Sequence, residues 1–273
     1  MATTPERTGA IELDGRRLAW RSLGAGPPLL LVNGYAATAA DWDPTLLDRL
    51  GDSFELICPD SRGMGGSDLG DPALLSVDAL AADLERLLDE IGLEQAPVAG
   101  WSMGGFVAQR LAVRTPRRVE ALVLLSTDAG GPAAVPGERA AWQRLADHSG
   151  TPREQASRLI SLLFPPPVAA EIDRRFGEVV AAARAQLSPA ALRAQEAAMD
   201  AWHGEEQVLP GDDAPRTLVL HGSEDVVIPA ANATVLAERW RGAEVELFAG
   251  GGHAFMAQEP ERVADRIVSF LGR

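Results

Sequence analysis

Lysine is missing from this 273-residue chain, whose 25 basic side chains are all arginine. Without lysine there is no Schiff-base amine, no anchor for pyridoxal phosphate and no P-loop ammonium to hold a phosphate. Cysteine occurs once, at Cys58, so no internal disulfide is available, and the apolar run Phe54-Glu-Leu-Ile-Cys58 is the setting of a buried structural thiol. Four histidines and that cysteine show no zinc-site spacing, so no metal is expected. Positive charge is also short: 39 acidic residues leave a formal net charge of -14. Phosphate backbones and anionic lipids repel such a surface, which makes nucleic acid and membranes poor partners. No run approaches the apolar length of a membrane span, and Met1–Thr8 carries no apolar leader, so a soluble cytoplasmic protein is expected.

What is present is a globular composition, 46% hydrophobic and 23% charged, on a chain long enough for one large α/β domain with an insertion. Two short strands flank the turn Asp14-Gly15, and Pro28–Val32 is a continuous apolar run of the kind buried on both faces of a sheet. Strand and helix patterns then alternate to Leu125, with Val77, Leu80, Leu84, Leu87, Leu88 and Ile91 making one helical stripe. This alternation predicts a mostly parallel, helix-flanked central sheet.

It stops between Asp128 and Asp213, where only helical signals occur: residues 137–148, 151–164, 168–187 and 188–202. Thr151-Pro-Arg-Glu154 is a capping box, Ser188-Pro189 opens a helix in a similar way, and Pro165–Pro167 breaks the segment. Residues 129–212 are therefore expected to be an inserted helical cap, and residues 1–128 with 213–273 the core. Alternation returns with the strand Arg216–His221, a helix near 229–241, the strand Val245–Phe248 and a closing helix, Pro260–Leu271.

The chemistry centres on Gly100-Trp-Ser-Met-Gly104, a G-x-S-x-G turn between an apolar run and a helical pattern. A serine there takes a strained conformation that exposes its hydroxyl, while the glycines let strand and helix approach closely. Nucleophilic acyl chemistry also needs a base beside Ser102 and a carboxylate to orient that base. His221-Gly-Ser-Glu-Asp225 and Gly250-Gly-Gly-His253 place Asp225 and His253 just past the C-terminal ends of two strands, the same sheet edge as Ser102. Asp128, after the strand Val119–Leu125, is a rival for the acid. His148, His203 and His221 are expected to be structural.

With the motifs Asn33-Gly34-Tyr35, Asp60-Ser-Arg62-Gly63-Met-Gly65, Gly100–Gly104, the Asp225 loop and Gly252-His253 in this order, the chain from Leu29 to Leu271 resembles the α/β-hydrolase family. The resemblance implies an α/β-hydrolase fold and a serine hydrolase of the esterase, lactonase, carbon–carbon hydrolase or haloperoxidase-like branch. It also implies an oxyanion hole formed by the backbone N–H groups of Tyr35 and Met103. The family usually has histidine where this chain has Asn33, so the bonds supporting that loop must differ. Asp60 and Arg62 are expected to form a turn and an ion pair.

The expected reaction is hydrolysis of a small to medium, largely apolar carboxylic ester or lactone, with no cofactor. Trp101, Trp142, Leu163 and Phe164 are candidate pocket residues. Within the same fold a carbon–carbon bond hydrolase of a diketone-like substrate is the alternative. From a different class comes a hydrolase-fold small-molecule receptor, although a pure binder has no need of a nucleophile, base, acid and oxyanion loop together.

Overall fold

A computed structural model describes residues 6–272. The first five residues of the Met1–Thr8 stretch, read above as carrying no apolar leader, lie outside the described residues. In chain order the elements are β1 (Arg7–Leu13), β2 (Arg16–Leu23), β3 (Pro28–Val32), α1 (Pro44–Gly51), β4 (Glu55–Pro59), α2 (Val77–Glu90), β5 (Ala96–Trp101), α3 (Met103–Arg114) and β6 (Val119–Leu125). Four helices follow, α4 (Arg139–Leu145), α5 (Pro152–Leu163), α6 (Pro166–Arg184) and α7 (Pro189–Gly204). The chain ends with β7 (Arg216–Gly222), α8 (Asn232–Arg239), β8 (Glu244–Phe248) and α9 (Pro260–Leu271).

The eight strands form one sheet in the order β1-β2-β4-β3-β5-β6-β7-β8. It is parallel from β4 to β8, with an antiparallel edge of β1 and β2. Asp14 and Gly15 join that edge with φ of 53° and 76°, the left-handed pair that a two-residue hairpin turn requires. Each central strand is apolar throughout because successive side chains alternate between two covered faces. Leu30, Val32, Val98, Leu122 and Leu124 meet Leu84, Phe106 and Leu111 of α2 and α3 on one side. Leu29, Leu31, Leu56, Val123 and Leu218 meet Leu46, Leu50, Val263 and Ile267 of α1 and α9 on the other. Each such side chain, fully buried, contributes about 1.5–3 kcal/mol.

The direction of winding changes at β3. From it the chain moves outward to β4 on one side and then crosses to β5 on the other. The crevice at the C-terminal ends of β3 and β5 is thus the switch point where open α/β sheets place their ligands.

The expected elements are present with local shifts. The helix expected over residues 137–148 is shorter, Arg139–Leu145, because the Asp147 carboxylate accepts from Ser149 N–H and turns the chain there. Pro166 and Pro167 start α6 rather than merely separating two helices, since proline at the first helical positions forfeits no hydrogen bond. The Asp60–Arg62 loop has the expected turn and ion pair. Asp60 accepts from Ala39 and Gly66 N–H, and Arg62 binds Asp83 through two bonds of 2.6 and 2.8 Å. Cys58 is buried in β4, and burial pushes its thiol up to about 12.

Candidate active site

Ser102 stands between β5 and α3 with φ 55° and ψ -123°. A non-glycine residue held there costs roughly 1–3 kcal/mol, so its surroundings must impose it. Its N–H donates to Leu125 O at 2.9 Å, and its carbonyl accepts from Gly105 N–H and the Thr127 hydroxyl, both at 2.8 Å. Close approach explains the flanking glycines. A Cβ on Gly100 would lie 2.3 Å from Gly104 O, and one on Gly104 would lie 2.1 Å from Val32 O. Met103 is the first residue of α3, so its N–H has no intrahelical partner and points out of the helix beside Ser102.

The structure brings Ser102, His253 and Asp225 together from three separate loops. His253 Nε2 is 3.0 Å from Ser102 Oγ, and His253 Nδ1 is 2.8 Å from Asp225 Oδ2. The carboxylate is an acceptor, which places the imidazole proton on Nδ1 and leaves Nε2 free to accept from the serine hydroxyl. Asp225 is buried, and its Oδ1 accepts the N–H groups of Val227 and Ile228 at 2.9 Å each. Burial alone would raise its pKa. The charge of His253 and the bonds from His221 and His253 outweigh burial and hold the carboxyl well below the usual range. His221, fully buried, donates from Nε2 to Ile228 O at 2.8 Å, with Asp225 Oδ2 at 3.3 Å. It backs the Asp225 carboxylate. The His253 loop is tied at three points: Trp101 Nε1 donates to His253 O, Gly252 N–H to Gln258, and Ala254 N–H to Leu163 O.

Tyr35 follows β3, opposite Ser102. Asn33, in the position the family usually gives to histidine, braces this loop: its Nδ2 donates to Thr38 O and its Oδ1 accepts from Gly34 N–H at 3.2 Å. One short side chain therefore bonds to both sides of the turn.

A cavity of about 710 Å³ opens over Ser102 and His253. Tyr35, Trp101, Leu163 and Phe164 line it, with Ile160 and Val168 adding to its apolar wall. Its size is that of a small-molecule site. Trp142, a candidate pocket residue, does not line it. The Trp142 ring instead packs edge-on to His203 of α7 at 5.3 Å, and from α4 it is Leu145 that reaches the lining.

Asp128, the rival acid, is engaged elsewhere. Its Oδ2 is 2.9 Å from His203 Nε2, and its Oδ1 accepts from Gly130 N–H and Trp202 Nε1. Burial lowers the His203 pKa, but the bond and charge of Asp128, with a bond to the Met199 backbone, raise it above its ordinary value. Folding thus favours protonated His203. That stabilisation is complete below about pH 6.5, where the unfolded histidine is also protonated, and is lost as pH rises through the higher folded-state value. The melting temperature of the wild type relative to His203→Gln is expected to shrink steadily from pH 6 to 9. Parallel curves would refute a charged Asp128–His203 pair.

Sequence reasoning did not find Gln195 and Glu196 of α7, which bind the loop carrying Tyr35. A polar pair in an alanine-rich helix gives no hint of a partner some 160 positions away.

Among the described residues no helix is long and apolar enough to cross a membrane, and no His, Cys, Asp and Glu group is arranged to hold a metal. Residues 29–266 match the model of the alpha/beta hydrolase family. The chain is 29% identical to a 2-hydroxymuconate semialdehyde hydrolase of Pseudomonas sp. strain CF600, over 98% of this chain and 95% of that one. A hydrolase from Pseudomonas aeruginosa superposes with a TM-score of 0.79 at 28% identity, covering 97% of this chain and 98% of the other. A thermophilic esterase from Thermogutta terrifontis, solved with malate bound, superposes with a TM-score of 0.76 at 27% identity, covering 97% and 98%. Sheet order, the strained serine turn and a sequence match over most of its length agree, and the chain belongs to the alpha/beta hydrolase family.

Proposed function

We propose that this protein is a serine hydrolase acting on small to medium, largely apolar carboxylic esters or lactones, with residues 129–212 forming a cap over the site. The observation that carries the proposal is the hydrogen-bonded chain Ser102–His253–Asp225 opening into an apolar cavity of about 710 Å³. Ser102 Oγ attacks the carbonyl carbon while its proton passes to His253 Nε2, and Asp225 stabilises the imidazolium. The carbonyl oxygen becomes an oxyanion between the N–H groups of Tyr35 and Met103, where one such donor is worth roughly 10²–10³ in rate. The carbon–oxygen bond breaks, His253 returns the proton to the leaving alkoxide, and the acyl group stays on Ser102. Water then attacks the acyl-enzyme, giving its proton to His253, which passes it to Ser102 Oγ as the acyl–Oγ bond breaks and the carboxylic acid departs.

A relative named as a 2-hydroxymuconate semialdehyde hydrolase favours the carbon–carbon bond reading. A substrate with a second acidic group would use a cation on the cavity wall. Arg175 is the arginine there among the described residues; it is more than half exposed and packs over the Phe176 ring at 5.1 Å. With Asp41, Asp43 and Glu259 also on the lining, the wall carries more negative than positive charge, which favours an apolar or neutral substrate. The two readings separate on kcat/KM for p-nitrophenyl esters of increasing acyl length, a lactone series and a diketone. Ester turnover with an optimum at medium acyl length is expected. Diketone cleavage exceeding all ester turnover would replace the ester reading.

A further inference from the structure

Gln195 and Glu196 are adjacent residues of α7, and both reach onto the loop after β3. Gln195 Oε1 accepts from Ala36 N–H at 2.9 Å, and Glu196 Oε1 accepts from the Tyr35 hydroxyl at 2.5 Å. Ala36 directly follows Tyr35 and has φ 56°, the left-handed region that a residue with a side chain keeps only under outside constraint. Asn33 braces the ends of the loop, whereas the Gln195 bond falls on the strained residue itself.

The Gln195 side chain is fully buried, and its Nε2 has no hydrogen-bond partner among the described residues. Leucine would occupy similar space without burying an unpaired N–H group, an arrangement that typically costs about 1–3 kcal/mol. The amide oxygen accounts for the residue, because Ala36 N–H would otherwise lose its partner. Glu196 holds the loop from a second direction, and the same Oε1 lies 2.6 Å from Nε2 of His148, in the connection between α4 and α5. Burial first, and Glu196 second, push the Tyr35 phenol far above its ordinary value, so it remains a donor.

We propose that Gln195 and Glu196 are positioning residues that complete the oxyanion hole from the cap, fixing the Tyr35–Ala36 backbone only while α7 is docked on the core. This rests on the serine-hydrolase reading above. Neither residue lines the cavity or touches the serine, the histidine or the acid. Loss of their bonds therefore acts on transition-state stabilisation, and so on kcat more than on KM.

The test compares wild type, Gln195→Leu and Tyr35→Phe, the last removing one hydroxyl while keeping the backbone donor. Readouts are kcat and KM on a p-nitrophenyl ester, the second-order rate of Ser102 labelling by a fluorophosphonate, and the melting temperature. Phosphonylation also places an anionic oxygen in the hole, so labelling reports on it whatever the natural substrate is. For Gln195→Leu, kcat and labelling are expected to fall together by roughly ten- to a hundredfold, the scale of a misplaced catalytic group, with KM within threefold. Tyr35→Phe should show a smaller fall of the same kind. Folded Gln195→Leu with kcat and labelling within twofold of wild type, or a change confined to KM, overturns the proposal; if that variant does not fold, the same criteria apply to Tyr35→Phe. Wild type that labels but cleaves no ester removes the ester reading and leaves this test standing on labelling. Wild type that does neither overturns both.

Discussion

Under the proposed ester hydrolysis, Ser102→Ala is expected to lower kcat by about 10⁶, equivalent to roughly 8 kcal/mol of barrier, with the protein still folded. The size of the loss follows from what the substitution leaves behind. Alanine keeps the Cβ and the strained φ of 55°, so the bond to Leu125 and those from Gly105 and Thr127 that hold the turn are untouched. His253 Nε2 loses its partner at 3.0 Å and has no nucleophile to deprotonate. What would survive is binding in the cavity and the proposed oxyanion donors, worth some 10³–10⁴ over the uncatalysed reaction. Steady-state kinetics and fluorophosphonate labelling on the same preparation are the measurement. A variant that keeps more than a tenth of the wild-type rate would remove Ser102 as nucleophile.

Asp225→Asn should lower kcat by about 10⁴. The geometry sets the direction of the amide. Oδ1 is held by the N–H groups of Val227 and Ile228, both at 2.9 Å, so asparagine must place its oxygen there and its NH₂ toward His253. An NH₂ facing His253 Nδ1 requires that nitrogen to accept, which moves the ring proton to Nε2. A donor then faces the Ser102 hydroxyl and no base is present. Asp128→Asn is the comparison. Its carboxylate faces His203 rather than His253, so activity is expected to remain within about tenfold of wild type. The reverse outcome, with Asp128→Asn inactive and Asp225→Asn active, would transfer the acid role to Asp128.

These residues were not equally legible beforehand. Ser102 announces itself because the strained turn needs small neighbours on both sides, and the Gly100 and Gly104 spacing records that need directly. His253 follows a glycine-rich loop at a strand end, again a local signature. In sequence Asp225 is the expected acid and Asp128 its rival, since each lies just past a strand of the same sheet. Their difference lies in which histidine stands opposite. Trp142 likewise resembles any other aromatic of the inserted helices until α4 is seen packed on His203.

The parts of this protein determined by its sequence alone are those that depend on short-range physics. Side-chain alternation makes the central strands, helical stripes and caps make the helices, and backbone sterics make the serine turn. Tertiary structure decided the remainder: the direction of the Asp128 carboxylate, the cavity wall, and the bonds from Gln195 and Glu196 to a loop 159 and 161 positions earlier. A hydrogen bond over that separation is chosen by how helices dock on the sheet. No local preference of either partner encodes it.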